Sequence, residues 1–237
     1  MLKIINFSKS YGNNGKKAVD NLNLEIKKGE IFGFIGHNGA GKTTTIKAIV
    51  GITEFNEGEI LIDGLSIKEN DIECKNKIAY IPDDPDIYSS LTGIQYLNFI
   101  ADIYQVEAEE KERLIKKYAT MFEILPNLGD IISTYSHGMK QKLVIISALV
   151  HSPKLLVLDE PFVGLDPKSA FALKKVMREL CNDGASIFFS SHVLEVVEKL
   201  CDKVAIIKNG KLIKCGNVSD IIGDENLESI FLELNEQ

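Results

Sequence analysis

Gly36-His37-Asn38-Gly39-Ala40-Gly41-Lys42-Thr43-Thr44 is the stretch whose reading decides how this chain folds. It fits GxxxxGK[ST] at every fixed position. The five residues before it, Ile-Phe-Gly-Phe-Ile at 31–35, are apolar and β-prone apart from Gly33. Residues 45–50 read as the first turns of a helix, ended by Gly51. Strand, glycine loop and helix form the context in which this pattern has physical meaning. A triphosphate carries several negative charges and needs many short-range donors. Gly36, Gly39 and Gly41 let the backbone turn tightly, so that successive N–H groups point into one concavity. A helix starting near Lys42 adds its positive end. Lys42 is expected to reach the β- and γ-phosphates, the Thr43 hydroxyl to ligate Mg²⁺, and Thr44 to reach the α-phosphate. His37, Asn38 and Ala40 complete the binding loop. The loop predicts a nucleoside triphosphate and leaves its use open.

The bulk composition narrows that use. With 237 residues the chain has room for one large domain, or a domain with a subdomain. Its net charge of -7, with no basic stripe, argues against nucleic acid as a partner. The longest apolar run, residues 143–150, is far shorter than the roughly 18 residues a membrane span needs. The opening Met1-Leu2-Lys3-Ile4 has no signal-peptide layout. Cys74, Cys181, Cys201 and Cys215 are scattered without a CxxC pair, which predicts free thiols in a reducing cytoplasm. The four histidines are likewise dispersed, and no metal-ligand cluster emerges.

Along the chain, residues 2–7 and 19–26 read as strands, with a turn at 11–15 between them. Residues 60–62 and 65–67 flank Asp63-Gly64, a hairpin with a primed turn. Residues 78–81 form a short strand broken by Pro82-Asp83-Asp84-Pro85. From residue 91 the character becomes helical. Thr92 and Gln95 make a capping box before the apolar series Ile94, Leu97, Ile100 and Ile103. Residues 107–125 predict a second helix with Leu114, Ile115, Tyr118, Met121 and Phe122 inward. A third helix, capped by Ser136, is expected to run to about His151. Residues 155–158 and 187–189 are apolar runs suited to strands buried in a parallel sheet. Asp166-Pro167 predicts a helix start, Asn209-Gly210 a hairpin turn, and residues 227–234 a terminal helix.

Two of these strand ends carry chemistry. Asp159-Glu160 puts two carboxylates at the carboxyl end of a sheet strand, where open α/β sheets bind ligands. Asp159 could hold Mg²⁺ opposite Thr43, and Glu160 could polarise an attacking water. By itself Asp-Glu-Pro reads rather as a strand-to-turn junction with solvated acids. His192 ends the next strand on the same edge and could hydrogen-bond the γ-phosphate, although an isolated histidine is more often structural. Tyr11 could stack on a base, or be an ordinary turn tyrosine.

Taken in order, these pieces resemble the nucleotide-binding subunit of ATP-binding cassette (ABC) transporters over almost the whole chain. The resemblance implies an α/β fold: a P-loop NTPase core with a mainly parallel sheet, an N-terminal antiparallel β subdomain and an inserted α-helical subdomain. The implied divisions are 1–90 with 134–222 for the core, 91–133 for the helical insertion and 223–237 for a C-terminal tail. It implies ATP and Mg²⁺ as cofactors, with Lys42, Glu160 and His192 catalytic and Tyr11 against adenine. Asp83 falls where the family's phosphate-sensing loop usually has Gln, and is expected to reach nucleotide and metal. Tyr-Ser-His-Gly-Met-Lys-Gln at 135–141 falls where the signature LSGGQ stands, in degenerate form. Ser136 and Gly138 are then expected to contact the γ-phosphate of a second subunit. Gly164-Leu165-Asp166 matches the loop that contacts that partner.

The resemblance further implies separate transmembrane permease chains, an ATP-bound homodimer and a position on the cytoplasmic face of the membrane. Details such as Tyr-Ser-His-Gly-Met lean towards exporters of drugs or antimicrobial peptides. The alternative is a soluble cassette acting on ribosomes or DNA. Ribosomal cassettes usually pair two domains through a basic linker, and chromosomal ones insert a long coiled coil; this chain has neither.

Overall fold

Strand β3 (Ile31–Ile35), which feeds the glycine loop, lies inside a six-stranded sheet and is buried at every residue. The structure is a computed structural model describing residues 1–12, 17–55, 57–223 and 225–236. Of the turn expected at 11–15, residues 13–15 lie outside the described residues.

The chain begins with β1 (Leu2–Ser10) and β2 (Lys17–Ile26), then β3 and helix α1 (Lys42–Ile49). Next come β4 (Glu57–Ile62), β5 (Leu65–Ser66), α2 (Asp71–Lys77) and β6 (Ile78–Ile81). Helices α3 (Gly93–Ile103), α4 (Ala108–Met121) and α5 (His137–Leu149) follow. The last part alternates: β7 (Leu155–Asp159), α6 (Pro167–Asn182), β8 (Ser186–Ser191), α7 (Leu194–Leu200), β9 (Lys203–Lys208), β10 (Lys211–Asn217), α8 (Val218–Ile222) and α9 (Leu227–Glu236).

β1, β2, β4 and β5 form an antiparallel sheet in the order β2-β1-β4-β5. The larger sheet has the order β10-β9-β3-β8-β7-β6, parallel except for the β9–β10 hairpin at its edge. Alternation along β3 explains the layering. Ile31 and Ile35 face the helical core with Leu97, Phe122 and Leu143, whereas Phe32 and Phe34 face the core under the antiparallel sheet. Gly33 is the exception in the strand because α7 crosses it closely. A Cβ there would lie 2.6 Å from Val197 Cγ1.

Both hairpin turns have the geometry their dipeptides predict. Asp63 and Gly64 have φ of 51° and 86°, and Asn209 and Gly210 of 50° and 79°. Thr92 and Gln95 form the reciprocal capping box, and Asp166 accepts the Ser169 N–H at 2.9 Å. Several details differ from expectation. The second inserted helix stops at Met121 rather than 125, because Glu123 turns left-handed (φ 57°) before a 3-10 turn at Leu125–Asn127. Helix α5 ends at Leu149, and Ile103 at the end of α3 is 56% exposed rather than inward. Helix α2 was not expected. Its sequence is mostly polar and it buries only Cys74, with i,i+4 pairs Lys75–Asp71 and Lys77–Glu73 along it.

Candidate functional site

The carboxyl ends of β3 and β7 open into one cleft. Lys42, Thr43, Thr44, Asp83, Asp159 and Glu160 line it, with the backbone of Asn38, Gly39 and Gly41. The loop's shape follows from its glycines. Gly41 has φ 109°, and a Cβ there would meet the Ala18 carbonyl at 2.7 Å. Gly41 also caps α1 without a side-chain hydrogen bond, so the first-turn N–H groups remain for an acceptor in the cleft.

Lys42 is only 8% exposed. Its ammonium donates to the carbonyls of Gly36 at 2.7 Å and His37 at 3.4 Å. Among the described residues these are its acceptors, so one of its three donors is left for a ligand. Thr43 Oγ1 donates to Asp159 Oδ2 at 2.9 Å. A hydroxyl and a buried carboxylate side by side are hard oxygen donors, the set that suits Mg²⁺ shared with phosphates. Among the described residues no three His, Cys, Asp or Glu side chains gather as a complete metal cage.

Beyond Asp159, the backbone of Glu160 is left-handed, with φ 49°. This carries the Glu160 carboxylate towards β8, where Oε2 accepts from His192 N at 3.2 Å and lies 2.9 Å from His192 Nδ1. The His192 ring is largely exposed while the Glu160 side chain is mostly covered. Behind the cleft, burial pushes the Tyr80 phenol up to about 12, with the Asp159 and Asp83 carboxylates adding to the effect.

The structure thus gathers Lys42, Thr43, Thr44, Asp83, Asp159 and Glu160, with His192 joined through Glu160. It places three other loop residues differently. Gly36 serves as the carbonyl under Lys42, Ala40 accepts the Gly210 N–H, and His37 turns outward, its Nδ1 2.7 Å from the Asn38 carbonyl. Tyr11 is 54% exposed, beneath the Lys9 ammonium and outside the cleft lining. Ser136 and Gly138 lie apart, at the start of α5. There Ser136 Oγ accepts the Met139 N–H at 3.3 Å, and Gly138 packs against the Gly164 carbonyl. Sequence reasoning passed over Ser190, whose hydroxyl donates to Asp159 Oδ1 at 2.5 Å. Its only signal was a small polar residue where an apolar strand ends.

Known proteins share this construction. Residues 19–163 match the ABC transporter family. The linearmycin resistance ATP-binding protein LnrL of Bacillus subtilis is 36% identical, over 93% of this chain and 70% of LnrL. The bacitracin transport ATP-binding protein BcrA of Bacillus licheniformis is 37% identical, over 90% of this chain and 69% of BcrA. A solved ATP-binding subunit of an ABC transporter superposes with a TM-score of 0.95 at 33% identity, covering 99% of each chain. Likeness of this extent, on a chain whose cleft already offers a phosphate cradle, has one reading: the chain belongs to the ABC transporter family and is its ATP-binding, ATP-hydrolysing subunit.

Proposed function

We propose that this subunit powers export of drugs, antimicrobial peptides or similar amphiphiles, by hydrolysing Mg²⁺-ATP between two copies of itself. One observation carries the catalytic part: Asp159 meets Thr43 at 2.9 Å while the adjacent Glu160 is held by His192. In this reading Thr43 and Asp159 hold Mg²⁺, Lys42 neutralises charge on the phosphates, Glu160 polarises the attacking water and His192 orients Glu160. Tyr11 stacks on adenine, and Asp83 meets the metal from the loop after β6. Ser136 and Gly138 serve the γ-phosphate of the opposite copy, since they lie outside their own cleft. Residues 1–90 and 134–222 act as one ATP-binding body, residues 91–133 as a helical arm and 223–237 as a tail.

Support for the exported class comes from the relatives, one named for linearmycin resistance and another for bacitracin transport. Among the described residues no helix is long and apolar enough to cross a membrane. The span across the bilayer then belongs to permease chains, with this subunit bound at their cytoplasmic face. The groove between the loop after β6 and helices α3 and α5 suits a permease segment. Pro85, Ile87, Tyr96, Ile100 and Val144 line it. Tyr88 and Phe99 meet edge to face at 5.8 Å, and both rings are exposed. The test is co-purification from membranes. A polytopic chain should accompany the parent protein, and Tyr88→Ala should weaken that association while sparing ATPase activity. Purification with ribosomes or DNA instead would overturn the transport reading.

A further inference from the structure

β7 and β8 run parallel with Asp159 opposite Ser190 in register, so both side chains leave the same face of the sheet. Ser190 is fully buried. A serine hydroxyl has one proton and two lone pairs. Here the proton goes to Asp159 Oδ1 at 2.5 Å, and a lone pair accepts the Glu160 N–H at 3.2 Å. The other Asp159 oxygen takes the Thr43 proton. Glu160 holds a left-handed backbone that a non-glycine residue adopts only when its surroundings enforce it. Two positions beyond Ser190, His192 binds the Glu160 carboxylate. One strand end therefore holds Asp159 by its carboxylate and Glu160 by both its backbone and its side chain.

We infer that Ser190 is a positioning residue for ATP hydrolysis, its single hydroxyl setting the aim of Asp159 and the left-handed turn that presents Glu160. The inference rests on the roles assigned above to Asp159 and Glu160, and Ser190 acts through them rather than by touching nucleotide or metal. Without the hydroxyl, Asp159 Oδ1 loses its donor in a buried setting and the carboxylate can rotate. The Glu160 N–H loses its acceptor at the same time. Both errors fall on the metal-dependent steps. Metal-free ATP affinity comes from the glycine loop and Lys42, which Ser190 does not touch, and removing a neutral hydroxyl leaves the number of opposing carboxylate charges unchanged.

The experiment compares Ser190→Ala, Ser190→Cys and Ser190→Thr for turnover, and for ATP dissociation constants with and without Mg²⁺. Losing an outer-shell partner typically costs about 10- to 100-fold in metal affinity or activity. Ser190→Ala should lose turnover by about that factor and gain less affinity on adding Mg²⁺, with metal-free affinity unchanged. Ser190→Cys keeps the volume with a weak donor and should resemble Ser190→Ala. Ser190→Thr keeps the hydroxyl and should recover turnover and the Mg²⁺ gain. Parent-like turnover in Ser190→Ala, or a Ser190→Cys protein as active as the parent, would overturn the inference. So would a fall in metal-free affinity matching the fall in turnover. Glu160→Gln is assayed alongside: if it keeps parent turnover, the fault lies in the role given to Glu160 and not in Ser190.

Discussion

Two helix N-termini in this molecule are assigned to phosphate in the proposed function, and they are built in opposite ways. At the start of α1, Gly41 provides no side-chain cap, Lys42 is buried beside the open N–H groups, and Asp159 stands behind Thr43. At the start of α5, Ser136 caps the helix with its own hydroxyl, and both Ser136 and His137 are exposed. The contacts there run to the loop at 163–166 instead of the cleft. The His137 ring packs on Gly164, and Lys142 pairs with Asp166 at 2.8 Å, which holds the Asp166 carboxyl well below the usual carboxylate range. The first end reserves its donors within one chain. The second fills one of them, the Met139 N–H, with a neutral acceptor at 3.3 Å, which a charged phosphate oxygen from outside would outcompete. In the proposed reading, the difference teaches that one chain supplies two unlike halves of a site.

The largest effect should come from the first half. Lys42→Ala removes the buried cation, and turnover should fall by at least about 100-fold. An ATPase assay retaining more than a tenth of parent activity would break the contrast. Ser136→Arg strikes the second half, placing a long cation at an exposed helix start. ATP affinity of the single chain should stay within about twofold of the parent while ATP-dependent association is lost. Equal loss of both would mean the two ends are not separate.

The far end of α5 offers a smaller test. His151 stacks on Tyr104 with centroids 3.7 Å apart, and burial lowers its pKa to about 4. The unfolded state takes up the proton near pH 6.5, whereas the folded state resists until about 4. Its contribution is therefore full above pH 6.5 and is lost as pH falls towards 4, by at most about 3 kcal/mol. Denaturation midpoints of His151→Phe should fall less steeply than those of the parent over that interval. Parallel curves would show that His151 is not held neutral.

Asp83 brings a third carboxylate to the cleft with Asp159 and Glu160. Like charges should weaken metal-free ATP binding, and Mg²⁺ should offset that repulsion. The ratio of ATP dissociation constants without and with Mg²⁺ should drop about two- to fivefold in Asp83→Gln. Identical ratios would place Asp83 outside the metal's reach.

Much of the fold and of the first half was legible in the sequence because the signals are local. The glycine loop, the Asp159-Glu160 strand end and the caps at Thr92 and Asp166 each lie within a few consecutive residues. Ser190 was not legible, since it meets Asp159 across 31 residues and only the register of β7 and β8 reveals the contact. Helix α2 has no apolar stripe to betray it and depends on its docking through Cys74. The isolation of Ser136 from the cleft is tertiary too, and it makes a second copy necessary to the account.

The most direct test is the molecular mass of Glu160→Gln protein in solution, with and without saturating Mg²⁺-ATP. Glutamine keeps the shape of the side chain but cannot polarise water as a carboxylate does, so bound ATP should persist. The account predicts mainly monomer without nucleotide and a dimer with Mg²⁺-ATP. A protein that binds Mg²⁺-ATP to saturation and remains monomeric would contradict a site assembled from two unlike helix ends.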